Sequence, residues 1–222
     1  MPSIEISEQN GVRNLHFGSE WVQGAMRIAR PWSLELEYTR ELMLPLMLHP
    51  GEWPASVLQV GLGAASITRF LHRQRPKARL TVVEIAPEVA AAARHFFTLP
   101  EESARLRIEI ADGYEFMAGS KARFDFIVLD AFDENGRAGM LETLPFYLNC
   151  RERLTAKGIV AVNLLSRRGG IDPVVARLEE AFDGVVVRPP CEAGNTIAIA
   201  AREAGTHLLS LLPSIEPDKA PK

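Results

Sequence analysis

Apolar runs short enough for buried strands alternate along most of this chain with segments whose apolar residues recur at helical spacing. The predicted strands are 57–60, 80–84, 106–110, 124–130, 158–165, 185–187 and 196–200. The predicted helices are 65–74, 87–97, a short one from about Gly113, 142–154 and 172–182. Such alternation is typical of an α/β fold in which helices cover both faces of a mostly parallel sheet, here with seven strands and a closing antiparallel pair.

The first 50 residues have a different pattern, in which apolar and polar residues alternate over short stretches. Two such stretches flank Asn10-Gly11, a two-residue hairpin signal, and a third strand is expected within 21–28. A helix over 34–48 would link this β-hairpin module to the main domain. We therefore expect an N-terminal module and linking helix at 1–50, a main domain at 51–212 and a disordered tail at 213–222.

The composition is that of a folded globular protein, because 47% of the 222 residues are apolar and 24% are charged. The net charge of −3, with Lys and Arg scattered along the chain, provides no basic surface for nucleic acid. Apolar runs stay well short of the roughly 20 residues that span a membrane, and the first residues lack a signal-peptide pattern. We therefore expect a cytoplasmic protein that binds neither nucleic acid nor a membrane.

Cysteine and histidine residues show no pattern of a metal or redox site. Cys150 and Cys191 are too far apart in sequence for a local metal site and too few for a disulfide framework, so both are predicted to be reduced packing residues. The five histidines form no close pair and no metal-ligand spacing. We expect no metal ion and no permanently bound cofactor.

Glycines and acids follow the ends of the first three predicted strands of the main domain, where α/β sheets bind their ligands. Gly61 and Gly63 lie where the chain turns from strand to helix, so they permit close approach to a ligand. Glu84, about 20 residues further on, is placed to accept from ribose hydroxyls. Asp112 can hold an adenine amino group, and Gly113 leaves room for its ring. Singly, these residues are also typical of tight turns, helix caps and solvated strand ends, but together they predict a nucleoside site.

The fourth strand of the main domain, FDFIVLD, ends on Asp130, and a second acid, Asp133, follows in the next loop. A carboxylate at the carboxyl end of a parallel strand is placed to act on a ligand rather than to support the fold. Asp130 is therefore the first candidate for a catalytic residue.

Several segments between residues 57 and 163 resemble the spermidine synthase family, the polyamine aminopropyltransferases. TVVEIAPEV (81–89) resembles the family's Val-Glu-Ile-Asp-Pro-Glu-Val segment, and DAFDENG (130–136) resembles its Asp-Ser-Ser-Asp-Pro-x-Gly loop. Leu141, Thr143 and the positions that follow them resemble its Leu-Phe-Thr-x-x-Phe-Tyr helix. The resemblance implies a Rossmann-like fold of the S-adenosylmethionine methyltransferase type, and a homodimer.

The same resemblance implies transfer of an aminopropyl group from decarboxylated S-adenosylmethionine to an amine acceptor. Glu84 would then hold the ribose, Asp112 the adenine, and Asp130 would serve the attacking amine. Tyr38 and Asp133 lie where the family binds and encloses the second substrate. An alkylammonium has no lone pair, so it must lose a proton before it attacks, and a carboxylate can orient the neutral amine and stabilise its developing charge.

Two departures from the family pattern keep other functions open. Ala64 replaces the acid of the family's glycine-rich loop, and Thr39 follows Tyr38 where the family has Gln. The first change favours, as an alternative, a methyltransferase that uses intact S-adenosylmethionine, for whose carboxylate Arg69 is the nearest cation, although we expect Arg69 to lie at the surface. A third hypothesis is a non-catalytic nucleoside-binding relative. Retention of Asp130 and Asp133 speaks against it.

Overall fold

The computed structural model describes residues 3–49, 51–165, 170–202, 207 and 209–212. Its N-terminal part is a three-stranded antiparallel sheet in the order β1 (Ile4–Gln9), β2 (Val12–Phe17) and β3 (Gly24–Arg27). Asn10 and Gly11 form the first turn with φ angles of 53° and 74°, the left-handed conformation that tight hairpins require. The predicted hairpin module is confirmed. The tail at 213–222 lies outside the described residues.

The main domain is built on a seven-stranded sheet in the order β6-β5-β4-β7-β8-β10-β9. Its strands are β4 (Ser56–Val60), β5 (Arg79–Glu84), β6 (Leu106–Ile110), β7 (Phe124–Leu129), β8 (Leu154–Leu165), β9 (Gly184–Val187) and β10 (Asn195–Ala201). The first five are parallel, whereas β10 runs antiparallel to both its neighbours. The strand order reverses between β4 and β7, which creates a crevice at their carboxyl ends.

The helices lie between the strands, as the alternation predicts. They are α1 (Glu37–Leu42), α2 (Pro45–Leu48), α3 (Ser66–Gln74), α4 (Pro87–Phe96), α5 (Gly113–Gly119), α6 (Leu144–Arg153) and α7 (Asp172–Ala181), with a short 3₁₀ turn at Gly139–Glu142. In the described part of the chain, no helix combines the length and the apolar character needed to cross a bilayer.

The prediction of one continuous helix over 34–48 is wrong. The segment is divided into α1 and α2, and the break falls just before Pro45. Proline has no N–H to donate and its ring opposes a continuing helix, so it is tolerated only in a first turn. The backbone N–H of Met43 closes α1 on Arg40. The break leaves α1 as a short separate element that lies over the carboxyl ends of the sheet.

Both faces of the sheet are buried, because side chains alternate along each central strand. On β7, Phe126 and Val128 enter the core on one face, while Ile127 and Leu129 enter the core on the other. Such strands have continuous apolar sequences. This is why the FDFIVL run was identifiable as a strand but carried no sign of which side chain faces which layer.

The opposite end of β7 is fixed by a single carboxylate. Asp125 accepts hydrogen bonds from the backbone N–H groups of Ala55 and Ser56, both at 3.0 Å, and from the Ser56 hydroxyl at 3.2 Å. Its other oxygen accepts from the Thr155 hydroxyl at 2.9 Å. Asp125 therefore joins the start of β4 to β7 and β8, and it holds three neighbouring strands in register.

We expect Asp125→Ala to lower the free energy of unfolding by about 2 kcal/mol, because it leaves two backbone donors without their acceptor. Urea denaturation at neutral pH measures the change. The matched control is Glu52→Ala, which removes an exposed ion pair with Lys77 and is expected to change stability by less than about 0.5 kcal/mol. Equal losses in the two variants would contradict the role of Asp125.

Candidate active site

A cavity of about 660 Å³ opens at the carboxyl ends of the parallel strands, where the strand order reverses. The glycine turn after β4, the loop after β7 and the ends of β5 and β8 form its floor and walls. Residues 21–24 of the N-terminal module and residues 36–39 at the start of α1 line its other side. The cavity therefore lies between the two parts of the chain, so the hairpin module contributes directly to the site.

The glycine turn is fixed by close contact with the loop that carries Asp130. Gly61 has a φ of +93°, and a Cβ at this position would collide with the Asp130 carbonyl oxygen. The Asp130 N–H donates to the Val60 carbonyl at 2.9 Å, and the Gly61 N–H donates to the Val83 carbonyl at 2.8 Å. Only glycine satisfies both the backbone angle and the contact. Gly61 is thus required by the packing of two loops, whatever ligand the cavity holds.

Glu84 is buried beside the glycine turn and bridges two loops. One carboxylate oxygen accepts from the Leu62 N–H at 2.9 Å, and the other accepts from the Ala86 N–H at 3.0 Å. A carboxylate oxygen has more than one lone pair, so Glu84, which also lines the cavity, retains the capacity to accept from a ligand hydroxyl.

Asp112 and Gly113 have structural roles that the sequence left open as alternatives. Asp112 is the N-cap of α5, and its Oδ1 accepts from the N–H groups of Tyr114 and Glu115 at 2.8 and 3.1 Å. Its Oδ2 has no hydrogen bond within the described residues, and Asp112 lines the cavity. A Cβ on Gly113 would come within 2.6 Å of the Val60 side chain. The cap and the packing explain both residues without excluding contact with a ligand.

Asp130 lies at the centre of the cavity floor with partners on two other elements. Asn163 on β8 donates from its Nδ2 to the Asp130 Oδ1 at 2.8 Å. The Tyr38 hydroxyl on α1 interacts with the same carboxylate. Burial raises the pKa of Asp130 to about 6, although the bonds with Asn163 and Tyr38 act to lower it. Asp130 is therefore ionised at neutral pH but titrates close to it.

Tyr38 is held in its protonated form. Burial raises the pKa of Tyr38 well above its ordinary value, and the neighbouring Asp130 charge raises it further. A neutral phenol beside a carboxylate is a hydrogen-bond donor that stabilises the carboxylate charge. The structure thus brings together Tyr38 and Asp130, which are 92 positions apart in the sequence.

Asp133 shapes the loop after β7. Its Oδ1 accepts from the N–H groups of Asn135 and Arg137, each at 2.8 Å, and its backbone bonds to Arg137 and Gly136. The side chain is exposed at the cavity mouth. This geometry explains the acid as a turn residue, and its predicted contact with substrate stays a prediction.

Two site residues were not predicted from the sequence. Asn163 and Asn195 both line the cavity, and both are about 95% buried. The one signal in the sequence is a polar residue interrupting an apolar run, as Asn163 does in VAVNLL. Such an interruption marks a buried polar group that requires a partner, but it does not identify the partner.

Arg69 is not at the surface, and the sequence-based expectation for it is wrong. Its side chain is 96% buried and donates to the backbone carbonyls of Pro31 at 2.6 Å, Phe97 at 2.7 Å and Ala64. The guanidinium joins three segments behind the glycine turn through these carbonyls, and its second terminal nitrogen donates to the Ser66 hydroxyl at 3.4 Å. Arg69 is not among the described residues that line the cavity. Arg69 therefore cannot serve as the partner of a ligand carboxylate.

The cavity is strongly acidic. Six carboxylates line it among the described residues, against a single guanidinium, that of Arg137. The acids are Glu37, Glu84, Asp112, Asp130, Asp133 and Glu134. A cavity with walls of one sign concentrates ligands of the opposite charge. The site is therefore suited to a cationic ligand.

The sheet order and the glycine turn define the class of the protein, the S-adenosylmethionine methyltransferase type of Rossmann-like fold, which solved methyltransferases share. Within this class, the model of the spermine/spermidine synthase domain matches residues 35–164. The chain belongs to the spermine/spermidine synthase family.

Both aminopropyltransferases and methyltransferases are similar to this chain. The chain is 35% identical over 201 residues to the polyamine aminopropyltransferase of Chromobacterium violaceum, which covers 90% of this chain and 76% of the relative. It is 33% identical over 150 residues to the human eEF1A lysine and N-terminal methyltransferase, covering 62% of this chain but 21% of that protein. The crystal structure of a probable spermidine synthase from Corynebacterium glutamicum superposes with a TM-score of 0.77 at 22% identity, over 94% of this chain and 81% of that one.

The raised pKa of Asp130 predicts that Asp130→Asn stabilises the free protein. Above about pH 6 the native carboxyl is charged in a half-buried place, whereas below about pH 4 it is protonated in both folded and unfolded chains. The variant should therefore gain about 1 to 3 kcal/mol in unfolding free energy at pH 7.5, and the gain should vanish near pH 4.

Urea denaturation of both proteins at pH 7.5 and pH 4 measures this difference. Glu101→Gln, which alters an exposed carboxylate, serves as the control and should stay within about 0.5 kcal/mol of the parent at both pH values. An equal effect of Asp130→Asn at the two pH values would show that Asp130 is not a strained ionised group.

Proposed function

We propose that this protein transfers the aminopropyl group of decarboxylated S-adenosylmethionine to an amine acceptor. The observation that carries the proposal is the position of Asp130, a half-buried carboxylate that lines an acidic cavity beside Tyr38 and Asn163. The donor is a sulfonium that also carries an ammonium group, and the acceptor is an amine, so both substrates are cationic at neutral pH. A cavity whose described lining carries six carboxylates and one guanidinium is complementary to both.

The donor would occupy the part of the cavity formed by the glycine turn and the ends of β5 and β6. In this arrangement Glu84 accepts from the ribose hydroxyls and Asp112 accepts from the adenine amino group through its uncommitted Oδ2. The backbone at Gly61, Gly63 and Gly113 leaves room for the nucleoside to approach. Affinity would come from these few polar contacts together with the apolar walls of the cavity.

The reaction needs a neutral amine nitrogen to attack the propyl carbon bound to sulfur. The new C–N bond forms as the C–S bond breaks, and the electron pair of that bond stays on sulfur to give methylthioadenosine. Asp130 would hold the attacking nitrogen by accepting its hydrogen bond, stabilise the positive charge that develops on it, and take up its proton or pass it to solvent. Tyr38 would keep the Asp130 carboxylate oriented, and Asp133 would shape the loop that encloses the substrates.

A second candidate is methyl transfer from intact S-adenosylmethionine. Ala64 favours it, because the family acid that meets the donor's amino group is missing here. The Ala64 side chain packs with Leu15, Met26 and Phe97, so it neither attracts an ammonium nor repels a carboxylate. Against this candidate, Arg69 is occupied elsewhere, and a donor carboxylate would enter a cavity with a large excess of acids. Charge therefore favours the decarboxylated donor.

Further expectations complete the proposal. We expect a cytoplasmic homodimer that acts on small molecules, with no nucleic-acid partner and no permanently bound cofactor. These stay predictions.

The choice between donors is tested by calorimetric titration of the protein with decarboxylated S-adenosylmethionine, S-adenosylmethionine and methylthioadenosine. We expect the decarboxylated donor to bind at least about 10-fold more tightly than the intact donor, since an added carboxylate meets several uncompensated acids. Tighter binding of intact S-adenosylmethionine would move the assignment to methyl transfer. Absence of binding by all three ligands would contradict a nucleoside site.

Asp130→Asn is expected to lower kcat for aminopropyl transfer about 10²- to 10³-fold, because the neutral amide cannot accept a proton or stabilise an ammonium charge. Affinity for the neutral product methylthioadenosine should stay within about 3-fold, since the shape of the site is kept and this ligand carries no charge for Asp130 to attract. Transfer is measured as methylthioadenosine release with a panel of diamines and polyamines. Glu52→Gln, far from the cavity lining, is the control for nonspecific effects, and unchanged turnover in Asp130→Asn would remove Asp130 from the mechanism.

A further inference from the structure

Two buried side-chain amides form a chain of hydrogen bonds that ends on Asp130. Asn195, the first residue of β10, donates from its Nδ2 to the Asn163 Oδ1 at 2.9 Å. Asn163, on β8, donates from its Nδ2 to the Asp130 Oδ1 at 2.8 Å. An amide accepts on its oxygen and donates on its nitrogen, so the bond from Asn195 determines which end of Asn163 faces Asp130.

The orientation of Asn163 matters because the two ends of an amide have opposite polarity. With the nitrogen toward Asp130, Asn163 stabilises the carboxylate charge. If the amide were reversed, its oxygen would face the carboxylate and disfavour ionisation. Within the described residues, Asn195 is the one donor to the side-chain oxygen of Asn163. Reversal of the Asn163 amide would therefore break the bond from Asn195 as well.

The segment before Asn195 also holds the helix that carries Tyr38. Arg188 donates to Glu41 of α1 at 2.8 Å, and this ion pair is buried. The Glu192 N–H donates to the Glu37 carboxylate of the same helix at 3.0 Å. The turn closes where the Cys191 N–H donates to the Asn195 carbonyl at 2.7 Å. One segment, 188–195, therefore contacts α1 on one side and begins the amide chain on the other.

We infer that Asn195 is a positioning residue that acts through Asn163 to orient and charge Asp130, and that segment 188–195 aligns Asp130 with Tyr38. This inference rests on the proposed role of Asp130 in aminopropyl transfer. It extends the site to a strand and a loop that lie outside the matched domain, which ends at residue 164.

The readout is the acid limb of the pH–rate profile, the pH range in which kcat/KM falls as Asp130 becomes protonated. A merely structural role of Asn195 would leave the position of this limb unchanged. Titratable or charged groups share the cavity with Asp130 on four other elements of the described chain. They are Glu37 and Tyr38 on α1, Glu84 at the end of β5, Asp112 and Tyr114 at the start of α5, and Asp133, Glu134 and Arg137 on the loop after β7. The side-chain amides of Asn163 and Asn195, which we call the relay, do not titrate. Loss of the Asn163 bond weakens the ionised form of Asp130, so its pKa rises and the acid limb of kcat/KM moves to higher pH.

The test compares Asn195→Ala, Asn163→Ala and the double variant. We expect Asn195→Ala to raise the pKa of Asp130 by about 0.5 to 1 unit and to lower kcat about 10-fold, with KM changed less than about 2-fold. Asn163→Ala should have an equal or larger effect. In the Asn163→Ala background, removal of Asn195 should change nothing further, because the effect of Asn195 passes through Asn163. Additive effects of the two substitutions would overturn the inference.

Two further variants keep the test informative if Asn195→Ala does not fold. Asn195→Asp keeps the shape of the side chain but cannot donate to the Asn163 oxygen when ionised, and its charge also disfavours ionisation of Asp130 directly. It should therefore raise the pKa of Asp130 more than Asn195→Ala. Thr196→Val is the matched control, because Thr196 is the next residue of β10, is buried, and has no hydrogen bond from its hydroxyl within the described residues. It should leave the pKa and kcat unchanged.

The pKa of Asp130 is also measured directly by ¹³C NMR of its carboxyl carbon in the ligand-free protein, with Asp130→Asn for assignment. This readout needs no activity. If no amine yields methylthioadenosine but the carboxyl pKa shifts as expected, the proposed function fails and the relay stands. If transfer is observed and the carboxyl pKa is the same in the wild type and Asn195→Ala, the relay fails and the proposed function stands.

Discussion

The close approach of two loops, those that follow β4 and β7, is the constraint on which the rest of the site depends. The backbone at Asp130 occupies the space that a side chain at Gly61 would need, and its N–H is bonded to Val60. This contact fixes where the Asp130 side chain leaves the sheet. It also brings the glycine turn next to Glu84, whose carboxylate ties down Leu62 and Ala86. The geometry of the cavity floor follows from a contact between backbones, so it does not require a ligand to form.

The charge on Asp130 lowers the stability of the folded protein. Burial disfavours its charge more than Asn163 and Tyr38 restore it, and its pKa is accordingly raised to about 6. A cationic group in the cavity would supply the missing counter-charge, and it would lower that pKa again. The free protein therefore carries an electrostatic strain that a positively charged ligand relieves. Preorganised sites commonly have this property, because their polar groups are arranged for a charge that is not yet present.

The sequence predicted the parts of this structure that depend on local pattern. Strand and helix alternation gave the sheet, and the acids at strand ends located Glu84, Asp112 and Asp130 at one edge. What it missed depends on contacts between distant segments. Asn163 and Asn195 are 32 residues apart and meet only because β8 and β10 pair. Arg69 was expected at the surface because a periodic sequence pattern does not show that carbonyl groups from distant segments surround it. The break before Pro45 could have been predicted, since the rule is local.

Donor selectivity in this chain has to arise differently from a single acid at position 64. Gly24 of β3 lies directly against that position, since a Cβ on Gly24 would come within 2.6 Å of the Ala64 Cβ. A carboxylate at 64 would have to displace this contact or turn into the cavity, so the small residues at 24 and 64 form one packing unit. The N-terminal sheet therefore packs closely over the glycine turn at the place where the acid is missing. The remaining carboxylates surround the cavity and act over several ångströms, so their summed field can still favour a donor with one more positive charge. A field of this kind discriminates by charge rather than by shape, so it does not require an acid at position 64.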